Sequence, residues 1–409
     1  MRKSVAGVLT AILFFSLFII SAQAQDTMKI GVILPLTGPT AVIGQEEKRG
    51  VEMAIEKINA SGGALKKKVE LIIEDNKGDP TVIVSAAEKL ITRDKVVALT
   101  GGYSSVESLA LLAAMKKYEP VTVWQGGGAV KMDQMYGKER WFFMLHPRSP
   151  DYQRNITDFL SEIQPRPKRI AIAYEDTSYG VDHSKVAKQY LTEKGFELVT
   201  FEPFKSGTLD FSPLLTKIKG AKPEIFYWIG YAGDSILLTK QAKELGFTPK
   251  MLLDTVGVGF PEYRDSLKKD SEYVCGIEVW APSTRFPASA QYPQFFPKTE
   301  DWVAEYQKRY NREPNYWSII SYVSLITLTN AINKAGATDK EKLITALEAT
   351  DTMTPMGHMK FFKNQFGAIH QSFHEMVVFQ WQKGEKVTLW PKKGAGGTLW
   401  YPLPDWEKR

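Results

Sequence analysis

The sequence has one cysteine, Cys275, and five histidines. A single thiol excludes an intrachain disulfide, so burial alone has to hold the fold. The histidines leave little for a metal centre. His370 and His374 are four apart with Glu375 adjacent, but Phe373, Met376, Val377, Val378 and Phe379 around them read as a strand. Both rings then share one face without the helical spacing of a zinc-protease motif, and two ligands are too few for a site. His146, His183 and His358 are scattered. The chain also lacks a nucleophile elbow and a Gly-Lys-Ser phosphate loop, and Cys275 sits in an apolar run that reads as packing, not as a thiolate. No metal, cofactor or enzymatic activity is expected.

Charge of one sign is missing too. Lys and Arg number 52 against 46 Asp and Glu, spread along the chain, which argues against a nucleic-acid partner. The longest apolar run, residues 5–20, is interrupted by Thr10 and Ser16 and falls short of the roughly 20 residues a membrane span needs. It follows Arg2 and Lys3 and precedes Ala22-Gln23-Ala24, so residues 1–24 read as a secretory signal cleaved after Ala24. Loss of those two cations lowers the formal charge from +6 to +4. No cysteine follows for lipid attachment. The expected product is soluble and exported to the periplasm.

What is present is alternation. Apolar runs at 30–34, 69–74, 96–99 and 121–124 alternate with helical patterns, the mark of an α/β fold with a parallel sheet. In the first helix Val51, Ala54, Ile55 and Ile58 fall on one face, and Gly62-Gly63 ends it. A helix is expected from about Ser105 to Tyr118. A stretch with Pro147, Pro150, Pro165 and Pro167 then marks a domain boundary, and the alternation restarts with strands at 170–174, 197–201, 225–229 and 251–253. Helices are expected at 181–194 and 234–245, and three more at 300–310, 316–335 and 339–349. Residues 359–389 alternate like a strand pair, ahead of a Gly- and Trp-rich tail.

The chain resembles the type I periplasmic binding proteins, particularly the leucine/isoleucine/valine-binding group. Ile30-Gly31-Val32, Leu36-Thr37-Gly38-Pro39, Gly44, Gly50 through Ile58-Asn59 to Gly62-Gly63, Glu74-Asp75 and Asp79-Pro80 carry the likeness. The Gly101–Ser105 turn, Tyr179-Gly180, Asp210-Phe211-Ser212 and Gly257-Val258-Gly259 continue it in the expected order. The resemblance implies two doubly wound α/β lobes joined by three hinge crossings, with a ligand cleft between them that closes on binding. Lobe 1 is expected to hold residues 28–145 plus 278–355, and lobe 2 residues 146–277 plus 356–409. The implied partners are a small-molecule solute and the membrane permease of an ABC transporter, and the implied state is a monomer.

Gly101-Gly102-Tyr103-Ser104-Ser105 lies where a strand passes into a helix. The first amides of a helix have no acceptor and its dipole is positive there, so the place suits an anion. Serine is also an ordinary helix cap, and both roles can coexist. The resemblance puts the ligand's carboxylate here, with Ser105 at the matching serine. It adds the turn Gln125, Gly126, Gly127, Gly128, where the family's threonine is replaced by glycine or alanine, and Tyr179 and Tyr231 from the second lobe. Trp280, near a crossing, is a further candidate for the lining.

Two departures bear on the ligand. Val256 stands where amino-acid binders of the group carry the glutamate that pairs with the ligand's ammonium, and Ile43 stands where many carry an aromatic. Asp254 and Asp234 are the available substitutes for the glutamate, but neither is at the matching place. An unpartnered buried ammonium costs several kcal/mol. A carboxylate without an α-amine is therefore expected, aromatic in view of Tyr103, Trp124, Tyr179 and Tyr231. A branched-chain or other amino acid is the alternative ligand. A sensory module or a secreted enzyme on the same fold is the alternative class.

Overall fold

The computed structural model describes residues 27–373, 375–392 and 395–409. The expected signal segment and His374 lie outside the described residues. The first lobe runs β1 (Met28–Leu34), α1 (Ala41–Ala60), β2 (Val69–Asp75), α2 (Pro80–Thr92), β3 (Leu99–Gly101), α3 (Ser105–Met115), β4 (Thr122–Trp124), α4 (Val130–Tyr136) and β5 (Phe142–Met144). The second runs α5 (Ser149–Glu162), β6 (Arg169–Glu175), α6 (Ser178–Glu193), β7 (Glu197–Phe204), α7 (Ser212–Gly220), β8 (Ile225–Ile229), α8 (Ala232–Glu244), β9 (Met251–Asp254), α9 (Pro261–Leu267) and β10 (Cys275–Glu278).

Three helices follow: α10 (Thr299–Tyr310), α11 (Tyr316–Ala335) and α12 (Lys340–Glu348). Of these, α11 returns to the first lobe, where Ser324 Oγ lies 2.7 Å from Thr100 Oγ1 and Ser318 Oγ 3.2 Å from Glu46. Wedged between α1 and the sheet, α11 is buried on all sides over most of its length. A hairpin, β11 (Asp351–Thr354) and β12 (Gly357–Lys360), precedes the last two strands, β13 (Val377–Gln382) and β14 (Glu385–Trp390).

The first sheet is parallel in the order β2-β1-β3-β4-β5. The second repeats that order as β7-β6-β8-β9-β10, then adds β13 and β14 antiparallel at its edge. Strand order reverses at β1/β3 in one sheet and at β6/β8 in the other. In an open α/β sheet the ligand crevice lies outside the carboxyl ends of the strands at such a reversal. The turn after β3 and the loops after β6 and β8 are therefore the places to look for a site. No helix among the described residues is long and apolar enough to cross a membrane.

The structure differs from the expected layout in three respects. Residues 361–372, assigned by the sequence to the second lobe, lie along β5 in the first: Met144 N donates to His370 O at 2.8 Å and Ser372 N to Met144 O at 2.9 Å. Phe361 and His370 cover Phe143 there, which shields what is otherwise an exposed sheet edge. His370 is thus in an irregular segment ahead of β13 and not on a strand with residues 376–379. It stacks on Phe143 at 4.0 Å, with Nε2 3.1 Å from Glu348. Finally, the Trp-rich tail is an added edge. Trp400 exchanges two bonds with the Gln380 side chain, and Trp406 Nε1 donates to Phe247 O at 3.0 Å.

Candidate ligand-binding site

After β3 the backbone turns through Gly101 and Gly102, with φ of 115° and 91°. Gly102 lies against the Trp124 indole, and a Cβ there would overlap the ring. Ser104 caps α3 in a reciprocal box: Glu107 N donates to its Oγ, and Ser104 N to Glu107 Oε2, both at 3.3 Å. That bond accounts for the Ser104 hydroxyl as a cap. Burial pushes the Glu107 carboxyl up to about 7 against the opposing pull of Ser104 and Asn76.

Ser105 heads the helix, buried, and its Oγ accepts from Ala129 N at 3.2 Å. The bond ties the first turn of α3 to the Gly126-Gly127-Gly128 turn after β4. At Gly126 a Cβ would collide with the carbonyls of Gly102 and Tyr103, so the two turns meet backbone to backbone.

The second lobe brings Tyr179 from the first turn of α6 and Tyr231 from the head of α8. Tyr231 stacks on Tyr179 at 5.2 Å and meets Tyr103 of the first lobe at 5.4 Å. The chain of rings continues from Tyr103 to Trp317 at 4.9 Å, to His146 at 5.5 Å and to Tyr152 at 5.8 Å. From Tyr152 it passes to His183 at 5.0 Å and back to Tyr179 at 4.2 Å. Seven aromatic side chains from both lobes close a circuit beside the Ser105 turn.

The polar groups of that circuit are neutral. His146 Nδ1 faces Pro147 O at 2.8 Å and Nε2 faces the Tyr152 hydroxyl at 3.2 Å, so both ring nitrogens are used. Burial pushes its pKa down to about 3, and that of His183 well below the usual value. His183 Nε2 and Trp317 Nε1 are buried without a partner. The nearby guanidinium of Arg148 is engaged by Asp133 at 2.7 Å and Gly127 O at 2.9 Å.

The acidic candidates are each engaged through one oxygen, while Asp254 Oδ1 is buried without a partner. Asp234 accepts from Tyr231 N at 2.9 Å as the cap of α8, and Asp254 accepts from Ser235 Oγ at 2.9 Å and Val258 N at 3.0 Å. Burial pushes both carboxyls up to about 7. Gln125 turns to the far side of the first sheet, to Glu47 at 3.0 Å and Ser324 at 3.2 Å. Trp280 packs on Trp302 and donates to Pro355 O at 3.0 Å, joining two crossing segments away from the circuit. Ile43 and Val256 are buried in the core, and Trp124 lies beneath Gly102.

Of the residues expected from the sequence, the structure assembles Tyr103, Ser105, Gly126, Gly127, Gly128, Tyr179 and Tyr231. Sequence reasoning missed His146, Tyr152, His183 and Trp317, which reach the circuit from a crossing, two second-lobe helices and α11.

The sequence matches the periplasmic binding protein family over residues 27–386. The chain belongs to that family. This periplasmic binding protein is 30% identical to the Leu/Ile/Val-binding protein homolog 7 of Brucella abortus (strain 2308), an alignment covering 92% of this chain and 94% of the relative. Among solved structures it resembles the leucine binding protein LivK of Thermotoga maritima, with 24% identity, a TM-score of 0.78 and coverage of 90% and 99% of the two chains. It also resembles an ABC-transporter solute binding protein of R. palustris in complex with benzoate, with 16% identity, a TM-score of 0.76 and coverage of 89% and 95%.

Proposed function

We propose that this protein is the solute-binding component of an ABC transporter that captures a small organic acid, aromatic by preference, between its lobes. It is exported with cleavage after Ala24, acts as a monomer, and delivers the solute unaltered to a membrane permease. One observation carries the choice of solute: the neutral aromatic circuit offers unpaired N–H donors, while Asp234 and Asp254 each give one carboxyl oxygen to the protein's own backbone and hydroxyls and are held toward the neutral form by burial. Donors call for an acceptor, and a carboxylate is one. An ammonium would have to draw on Asp254, whose Oδ1 is buried without a partner but whose carboxyl burial pushes up to about 7, and a neutral acid there leaves the charge unpaired at a cost of several kcal/mol. The benzoate complex of an R. palustris neighbour supports the same chemistry on this fold.

The name of the Brucella relative, a Leu/Ile/Val-binding protein homolog, favours a second reading, a branched-chain amino acid. Calorimetry separates the two: benzoate and 4-hydroxybenzoate are expected to bind more tightly than leucine, and tight leucine binding overturns the organic-acid reading. In the same experiment Ser105→Ala is expected to weaken benzoate binding by about 1–3 kcal/mol through loss of a hydroxyl beside the carboxylate. Unchanged affinity with an intact fold reduces Ser105 to a helix position. Turnover of the bound acid argues for an enzyme instead.

A further inference from the structure

His183 sits in the interior of the structure, fully buried, yet one of its ring nitrogens lacks a partner. The orientation of the Gln153 amide decides which nitrogen carries the proton. The Tyr227 hydroxyl donates to Gln153 Oε1 at 2.8 Å, so the Gln153 amide faces His183 Nδ1 as a donor at 3.2 Å. A neutral imidazole that accepts at Nδ1 holds its hydrogen on Nε2. Nε2–H is thus a donor with nothing to donate to. Its environment contrasts with that of His146, whose two nitrogens are both satisfied.

The free donor points at the first lobe. A Cβ placed on Gly128 would stand 2.9 Å from His183 Nε2, so the missing side chain at Gly128 is what admits the imidazole to the glycine turn. Ala129 N, one residue on, bonds Ser105 Oγ. Asp182, beside His183 on α6, accepts from Val130 N at 2.9 Å and so anchors this part of α6 to the first lobe. The N-terminal turn of α3, the glycine turn and the imidazole therefore converge from both lobes on one place.

We infer that His183 is the second-lobe half of the acid-binding seat: its Nε2–H donates to the solute's carboxylate, whose other side rests on Ser105 and the glycine turn. Gln153 and Tyr227 are positioning residues that hold the tautomer. The inference rests on the organic-acid reading above and deepens it, because it makes the joining of the two lobes at this place depend on an acceptor bound by both. A buried donor left unsatisfied is destabilising, so a purely structural histidine at this position carries an unexplained penalty.

The test uses the mature full-length protein, with benzoate, 4-hydroxybenzoate and phenylacetate as probes in calorimetry, and nitrogen-detected NMR of the histidines. His183→Phe keeps a ring in the space and removes the N–H. It is expected to weaken binding of those acids about 10- to 100-fold. In the wild-type protein Nε2 is expected to be protonated before ligand is added, and its signal to shift on binding. Equal affinities of wild type and His183→Phe, or an Nε2 signal blind to a bound acid, overturn the role of His183 while leaving the ligand class standing. Failure of wild type to bind any of the three acids overturns both. If His183→Phe does not fold, the NMR arm decides alone.

Discussion

At Gly102 two constraints fall on one residue: a left-handed φ of 91°, and an indole where a side chain would be. Alanine meets both. The left-handed backbone costs roughly 1–2 kcal/mol and overpacking a buried contact about 1–3, so Gly102→Ala is expected to destabilise the protein by about 2–5 kcal/mol. A urea midpoint unchanged from wild type would mean that Trp124 does not press on this turn. The sequence made Gly101–Ser105 legible as a strand-to-helix turn, because glycines before serines at the end of an apolar run have few other uses. It did not reveal why the second glycine is needed, since Trp124 reaches it from the next strand. His183 and Trp317 were illegible for the same reason: each sits in an ordinary helical pattern, and only the fold sets His183 against Tyr179 and Trp317 against Tyr103.

The helices that were legible carry their own punctuation. Asn315 precedes the run that becomes α11 and its Oδ1 accepts from Trp317 N at 2.9 Å and Ser318 N at 3.3 Å; Gly336 closes the helix in a left-handed conformation. Asn315→Ala is expected to cost about 1 kcal/mol, read as a lower thermal midpoint, because it strands first-turn amides in a buried setting. No measurable change would place that helix end in contact with water. Short elements were less readable. With three residues β5 is too brief to show a period, and the seven of α4 make barely two turns. The segment 361–372 misled because its pattern is that of an edge strand while its partner, β5, lies more than two hundred residues earlier. Register with a distant strand is a tertiary fact, and alternation alone cannot name the sheet a strand joins.

Across the whole molecule the lobes are in contact at the rings of Tyr103 and Tyr231 and at polar ties, among them Ser149 N to Gly128 O at 2.8 Å and Gln371 Nε2 to Asp151 at 3.0 Å. Asp182 bonds Val130 N and the Ser149 hydroxyl, and Arg312 Nη2 lies 3.0 Å from both Glu46 of α1 and Glu262 of α9. This arrangement keeps Glu107, Asp234 and Asp254 out of water, and burial pushes each up to about 7. In the unfolded chain such groups ionise near pH 4. The folded state therefore holds protons that the unfolded state has lost, and the stability they contribute falls as pH rises through about 7. His146, pushed down to about 3, and His183, also pushed down, act in the opposite sense. Unfolded imidazoles take up protons below roughly pH 6.5 that the folded ones refuse, so these two cost stability on acidification. Surface carboxyls held low by cations, such as Glu56 beside Arg309, do not titrate near neutrality. Glu278, which burial also pushes up to about 7 against the pull of Lys386, adds to the carboxyls, and His370, pushed down by burial, adds to the histidines. Between pH 8 and 6 these four carboxyls gain against these three histidines, and the midpoint of thermal unfolding without ligand is expected to be higher at pH 6 than at pH 8. The reverse order would mean that those carboxyls are ionised in the folded protein, which would restore a negative charge near the aromatic circuit and with it a partner for an ammonium ligand.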